Sequence, residues 1–186
     1  MHKFKLFLVQ SLAAVCVLAQ SKPIDVQRSS ITIHVGKAGL FSVAGHEHWV
    51  NAPVASGAID DSATPSIEFK VNAASMEVKP DPKVDAKTQA EIQKDMQEMT
   101  LESARYPEIA FRSSRVTKTA EGQWKVEGDL TLHGVTKPVR ADVKRSGEVY
   151  TGRTNIKQTT FGIKPVSVGG GLIKVKDELE IEFQIR

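Results

Sequence analysis

The chain has 186 residues, of which 40% are hydrophobic and 25% are charged, and its formal net charge is +3. Charges of both signs are interspersed, so no basic stripe marks a nucleic-acid surface and we expect no nucleic acid among its partners. The single cysteine, Cys16, lies in the apolar start of the chain. Disulfides, thiolate metal sites and cysteine catalysis are therefore excluded from the remainder.

The first predicted element is a signal peptide over residues 1–19. Lys3 and Lys5 precede an apolar run from Leu6 to Ala19, which is too short to be a membrane span. Val17 and Ala19 occupy the positions that a signal peptidase reads, so we expect cleavage near Ala19. Removing the two lysines with this leader lowers the formal net charge from +3 to +1. The expected product is a periplasmic or secreted protein of a size typical of one domain.

Alternating apolar and polar residues predict about eight antiparallel strands in the rest of the chain. The pattern is clearest near the end, where Leu179, Ile181, Phe183 and Ile185 alternate with polar residues. The other alternating positions are Ile31, Ile33, Val35, Ile67, Phe69, Val71, Trp124, Val126, Leu130, Leu132, Val139, Ala141 and Val143. Such a sheet must close into a barrel or pair with a second sheet, and the pattern is the same for a hollow and a filled barrel.

One segment, residues 85–104, breaks this alternation and predicts a single α-helix. It lacks glycine and proline, the phrase Thr88-Gln89-Ala90-Glu91 matches a capping box, and Tyr106-Pro107 marks its end. The residues on its apolar stripe are Ile92, Met96, Met99 and Ser103. We expect this helix to lie across one end or one side of the sheet.

The segment Gly45-His46-Glu47-His48-Trp49 contains the most conspicuous candidates for chemistry. On a regular strand His46 and His48 point to one side about 7 Å apart, while Glu47 points to the other. The two imidazoles could chelate a metal ion, although a metal site needs further ligands. His34, which alternates with apolar residues, is expected to face outward. The alternatives are a polar site inside the barrel, where His46, Glu47 and His48 contact a ligand's head group, and a bulge at Gly45 that carries the motif into solvent.

Three phrases together resemble the YceI-like family: RYPEIAFRSS (residues 105–114), GDLTLHGVTKPV (residues 128–139) and TTFGI (residues 159–163). The resemblance covers residues 24–186. It implies an all-β, antiparallel, lipocalin-like barrel with one helix, whose lumen holds isoprenoid or other long-chain amphiphiles. The chain departs from the family pattern at residues 44–50, which contain the histidines, and at Thr160, where an acidic residue is common.

The resemblance implies a binding or carrier protein, not an enzyme, that holds an isoprenoid quinone, a polyisoprenoid or another fatty amphiphile without a cofactor. It also implies transient membrane contact for lipid exchange, and a homodimer, since relatives are often dimeric. The candidate lumen residues are Phe41, Trp49, Phe69, Ile109, Phe111, Leu130, Phe161, Ile181 and Phe183, and His46, Glu47 and His48 are the candidate head-group contacts. Two alternatives remain: a metal-binding protein or metalloenzyme that uses His46 and His48, and a structural or stress-response module with a filled barrel.

Overall fold

The computed structural model describes residues 21–38, 47–168 and 173–186. The predicted signal peptide, Phe41 and His46 lie outside these ranges. The strands are β1 (Lys22–Pro23), β2 (Ser30–Ala38), β3 (His48–Asn51), β4 (Val54–Asp60), β5 (Ser66–Asn72), β6 (Glu77–Val78), β7 (Glu108–Ala120), β8 (Gln123–Leu132), β9 (Val135–Ser146), β10 (Val149–Lys157), β11 (Ser167–Val168) and β12 (Ile173–Ile185). The helix α1 covers Ala86–Asp95. Within the described ranges, no helix combines the length and the apolar character needed to cross a bilayer.

All of these strands belong to one antiparallel sheet in the order β1-β4-β5-β7-β8-β9-β10-β12-β2-β3-β6, with β11 beside β12. Strands β3 and β4 lie near opposite ends of this order, yet only Ala52-Pro53 connects them. Because two residues cannot cross the width of a flat sheet, the sheet curls until its two ends meet. Ile24 and Asp25 also link the β4 side of the sheet to the end of β12, since they donate hydrogen bonds to the carbonyls of Gly57 (2.9 Å) and Arg186 (2.8 Å).

The all-β, antiparallel, lipocalin-like architecture predicted from the sequence is therefore confirmed, as a curled sheet. The described part of the chain has twelve strands instead of about eight. The additional strands include β1, β6 and β11, which are two residues long and too short to show a period of two. The predicted alternation is correct, since all of the alternating apolar residues named above line the inside of the curl.

The helix begins at a different cap from the one predicted. The carboxylate of Asp85, rather than the side chain of Thr88, accepts hydrogen bonds from the N–H groups of Lys87 and Thr88, each at 3.0 Å. The Thr88 hydroxyl also donates to Asp85 at 2.7 Å. These hydrogen bonds, first the one from the Thr88 side chain, lower the pKa of the Asp85 carboxyl below its usual value.

The helix also ends earlier than the sequence predicts. After Asp95 the chain makes one π-helical turn, Met96–Thr100, in which the N–H of Leu101 donates to the carbonyl of Met96 at 2.9 Å. This wider turn changes the rotation per residue, so the predicted apolar stripe is wrong beyond Met96. Ile92 and Met96 face the inside of the sheet, whereas Met99 is 73% exposed. Ser103 lies beyond the helix.

Candidate functional site: an apolar cavity inside the curled sheet

The curled sheet encloses a cavity of about 430 Å³. Small-molecule sites typically have volumes of about 300–1,000 Å³, so this space is large enough for a ligand. The cavity is elongated, because the residues of β8 that line it run from Trp124 to Leu132, eight positions or roughly 26 Å along the strand. Its wall consists mainly of aliphatic and aromatic side chains. This hollow interior is inconsistent with the filled-barrel alternative.

Three phenylalanines, Phe69, Phe111 and Phe183, lie along the wall of this cavity, and the rings of two of them pack over strand glycines. The pairs are Phe111 with Gly128 and Phe183 with Gly152, and a Cβ atom at these glycines would lie only 2.6 and 2.4 Å, respectively, from the Cζ atom of the ring. Gly57 pairs with Phe69 on the neighbouring strand, and a Cβ at Gly57 would lie 2.8 Å from the Cβ of Phe69. The absence of a side chain at the glycine lets the ring lie against the sheet, and the centre of the lumen stays open.

Six of the predicted lumen residues face the cavity, namely Phe69, Ile109, Phe111, Leu130, Ile181 and Phe183. Trp49 does not, and its assignment to the lumen is wrong. It is 43% exposed on the outer surface, where its ring stacks on His34 with 4.4 Å between ring centroids. Because side chains alternate along a strand, the outward position of Trp49 accompanies the inward positions of His48 and Val50, which both line the cavity. Phe41 lies outside the described residues.

Phe161 is buried, but it does not line the cavity, so its prediction as a lumen residue is also corrected. It belongs to the 3₁₀ turn Gln158–Phe161 and is only 1% exposed. The pairing between β9 and β10 runs from Ser146 and Val149 to Asp142 and Arg153 and stops there. The 3₁₀ turn that contains Phe161 contacts both of these strands. Pro138, which has no N–H to donate to a neighbouring strand, lies in the part of β9 that does not pair with β10.

The histidine motif is divided between the two faces of the sheet. The Oε2 atom of Glu47 lies 3.2 Å from Nε2 of His34 on the outer face, so Glu47 is not a lumen head-group contact. His34 faces outward as predicted, and its Nδ1 atom lies 3.8 Å from Glu180. His48 lines the cavity, whereas His46 lies outside the described residues. Among the residues that the structure describes, no group of three His, Cys, Asp or Glu side chains is arranged to hold a metal ion.

The helix closes one end of the cavity, and glutamines attach it to the edge of the sheet. Gln93 accepts a hydrogen bond from the N–H of Val78 (2.7 Å) and donates to the carbonyl of Met76 (3.0 Å). Gln97 donates to the carbonyls of Ala73 (3.1 Å) and Met76 (2.9 Å). These bonds satisfy the N–H of Val78 and the carbonyl of Met76 beside the edge strand β6, and they give a second donor to the carbonyl of Ala73, which also accepts from the N–H of Met76 at 3.2 Å. These residues were not predicted from the sequence, although glutamines at positions 89, 93 and 97 have the spacing of one helix face.

The opposite end, which we call the mouth, is formed by the hairpin ends of the strands, where Asp61, Trp124, Arg145 and Tyr150 line the cavity. The Oδ2 atom of Asp61 lies 3.6 Å from Nη1 of Arg145 and 3.5 Å from Nζ of Lys22. The guanidinium carbon of Arg145 lies 5.3 Å from the centroid of the Tyr150 ring. The mouth therefore combines opposite charges with two aromatic rings. No role for its charged residues was predicted from the sequence.

The three sequence phrases contact one another near the helix end of the sheet. The rings of Tyr106 and His133 are 4.3 Å apart, and Nε2 of His133 lies 3.0 Å from Oε2 of Glu102. Both Glu102 (φ 44°) and His133 (φ 52°) adopt the left-handed conformation, which is costly for residues other than glycine. A Cβ at Gly134 would approach Tyr106 to 2.7 Å, and a Cβ at Gly162, in the third phrase, would lie 3.9 Å from Nδ1 of His133. The phrases thus form one packed unit.

Comparison with known families agrees with this unit and with the curled sheet, because the model of the YceI-like domain matches residues 23–186. The chain belongs to the YceI-like family. A relative of this YceI-like protein, a UPF0312 protein from Pseudomonas savastanoi pv. phaseolicola, is 36% identical over 94 residues, which cover 45% of this chain and 47% of that protein. The match therefore spans about half the length of that relative.

Two solved structures share the fold of this YceI-like protein. BcnA from Burkholderia cenocepacia superposes with a TM-score of 0.55 and 20% identity, covering 87% of this chain and 98% of that one. A polyisoprenoid binding domain from Saccharophagus degradans, implicated in plant cell wall breakdown, superposes with a TM-score of 0.58 and 14% identity, covering 88% and 95% of the two chains. At these identities the similarity establishes the fold alone.

Proposed function

We propose that this YceI-like protein binds a long-chain amphiphile in its lumen, such as an isoprenoid quinone, a polyisoprenoid or a fatty lipid, and acts as its carrier. The observation that carries the proposal is the elongated, apolar cavity of about 430 Å³. Each CH₂ group transferred from water into such a lumen gains about 0.8 kcal/mol. Ordering of the tail offsets part of this gain. The fold shared with a polyisoprenoid binding domain supports the same ligand class.

The proposed role is binding without catalysis, because apolar side chains provide most of the wall and leave tail burial as the main interaction. The leader-like pattern of residues 1–19 supports a periplasmic or secreted location. There, transient contact with a membrane would let the amphiphile enter and leave. A homodimer stays a prediction from the family resemblance.

Native mass spectrometry of protein exported to a bacterial periplasm, followed by organic extraction, tests this proposal. We expect a co-purifying lipid that is lost when the lumen is filled by Ala141→Phe, because Ala141 lines the cavity. Lys144→Phe is the matched control, since Lys144 is exposed on the same strand. The control variant is expected to retain the lipid.

An empty wild-type protein that also fails to bind the fluorescent fatty acid cis-parinaric acid would refute the proposal. Undiminished lipid retention in a folded Ala141→Phe variant would place the lipid outside the lumen. Stoichiometric zinc or copper in the same spectra, lost in a His46→Ala, His48→Ala double variant, would support the metal-binding alternative instead.

A further inference from the structure

Arg145 is fixed at the mouth but has hydrogen-bond donors to spare. Its Nε donates to the carbonyl of Gly147 at 2.7 Å, and its guanidinium lies over the Tyr150 ring, so neighbouring groups set its position. The distance of 3.6 Å between its Nη1 and Oδ2 of Asp61 is that of an ion pair and exceeds the length of a hydrogen bond. The two terminal nitrogens of Arg145 donate no hydrogen bond to any described residue.

Asp61 has a second cation available to it. The Nζ atom of Lys22 lies 3.5 Å from the same Oδ2 atom that faces Arg145. The side chains of Asp61 and Arg145 are each 37% exposed, and ion pairs in contact with solvent are weak. Arg145 can therefore exchange Asp61 for another anion while Lys22 continues to neutralise Asp61.

The other charged groups that line the cavity near the mouth are already engaged. Arg140, the second arginine of the lining, pairs with Glu127 on the outer face at 2.8 Å. The carboxylate of Asp60 accepts a hydrogen bond from the N–H of Ser62 at 2.9 Å within its own turn. The unused N–H donors of Arg145 are thus the main charged contact that the mouth offers to a ligand. A ligand that binds them must carry a hydrogen-bond acceptor.

We propose that Arg145 binds an anionic head group, a carboxylate or a phosphate, whose tail lies in the lumen, and that Asp61 closes the mouth by pairing with Arg145 when no ligand is bound. The planar guanidinium matches the oxygens of both groups with paired hydrogen bonds. The rings of Trp124 and Tyr150, with centroids 6.0 Å apart, provide apolar contacts for the first carbons of the tail. This inference rests on the proposed function, because it names the ligand class of the same cavity.

Four probes separate the contribution of the head group from that of the tail. Oleate and oleyl alcohol share one tail, and farnesyl phosphate and farnesol share another, so calorimetric titration of the delipidated wild-type protein compares anion with alcohol in each pair. We expect each anion to bind about tenfold or more tightly than its alcohol. Arg145→Gln should lower the affinity for both anions by about tenfold to a hundredfold and leave that for the alcohols nearly unchanged.

Three further variants complete the test, and the first of them is the matched control. Arg153→Gln makes the same exchange at an exposed residue of β10, and it should change neither affinity. Asp61→Asn removes the competing carboxylate, so it should tighten the binding of both anions. Near-UV circular dichroism establishes that each variant is folded, and Arg145→Lys, which keeps the charge but loses the planar fork, should give an intermediate loss.

The outcomes distinguish this inference from the function on which it rests. Equal losses for anions and alcohols in Arg145→Gln, or no loss for either, would overturn the head-group role and leave lumen binding intact. Weaker anion binding in Asp61→Asn would overturn the closing role of Asp61. A folded wild-type protein that binds none of the four probes would refute both the proposed function and this inference.

Discussion

Gln93 and Gln97 attach the helix end of the cavity through four hydrogen bonds to backbone groups, whereas at the mouth the ion pair of Asp61 and Arg145 involves two partly exposed side chains. Breaking the first set leaves buried polar groups unsatisfied, which is costly. Breaking the second exposes two ions that water solvates readily. The helix end is therefore the more firmly fixed of the two, and in the proposed function we expect a ligand to enter and leave at the mouth.

The largest expected effect comes from removing the glutamine hydrogen bonds. Gln93→Leu combined with Gln97→Leu leaves the N–H of Val78 and the carbonyls of Ala73 and Met76 without these partners, and all three residues are buried. We expect the free energy of unfolding, measured by urea denaturation, to fall by about 2–5 kcal/mol.

Two controls sharpen this test. Lys94→Leu, at an exposed position of the same helix, should change stability by less than about 0.5 kcal/mol. Asp61→Asn at the mouth should cost less than about 1 kcal/mol. A double glutamine variant as stable as Lys94→Leu would remove the distinction between the two ends.

A smaller effect is expected in the wall between the two ends. Gly152→Ala would place its Cβ 2.4 Å from Cζ of Phe183 and 2.6 Å from the carbonyl oxygen of Asp142. Such overpacking should reduce the free energy of unfolding by about 1–3 kcal/mol, and a displaced Phe183 ring should lower the binding of cis-parinaric acid. Gly36→Ala is the matched control, because the three atoms nearest to its Cβ would all belong to the flexible side chain of Lys176. Equal behaviour of the two variants would show that the glycine does not make room for the ring.

The smallest expected effect is a pH dependence at the helix end. Hydrogen bonds from Thr88 and Lys87 lower the pKa of the Asp85 carboxyl in the folded protein. Its contribution to stability is therefore fully present above the pKa of the unfolded chain and is lost as the pH falls through the lower pKa of the folded protein. Asp85→Asn should destabilise the protein more near neutral pH than in acid, as urea denaturation across the pH range would measure. A constant effect of Asp85→Asn across the pH range would contradict the capping role.

The sequence was sufficient to predict which side chains face the cavity in the long strands. Trp124 and Leu130 in β8, and Ile181 and Phe183 in β12, all line it because side chains of a strand alternate with a fixed period. The prediction for Trp49 was wrong because it assumed that an aromatic ring lies in the lumen. Such a ring can also be covered on the outer surface, here by His34.

The features at the two ends were not predictable from local pattern. Asp61 and Arg145 are far apart in the chain and approach one another only because the sheet curls. The position of Met99 depends on a π-helical turn, which is defined by one backbone hydrogen bond and has no side-chain period of its own. The alternation of apolar and polar residues does not predict the volume of the cavity either, because a filled barrel requires the same apolar faces.

The packing of phenylalanine rings on strand glycines has a consequence for ligand release. Because the rings of Phe111 and Phe183 already rest on the sheet, they keep these packing contacts whether the cavity is filled or empty. The cavity is therefore preformed, and we expect the two rings to reorganise little when a ligand binds or is released. The proposed carrier function would therefore let the protein release its lipid without unfolding.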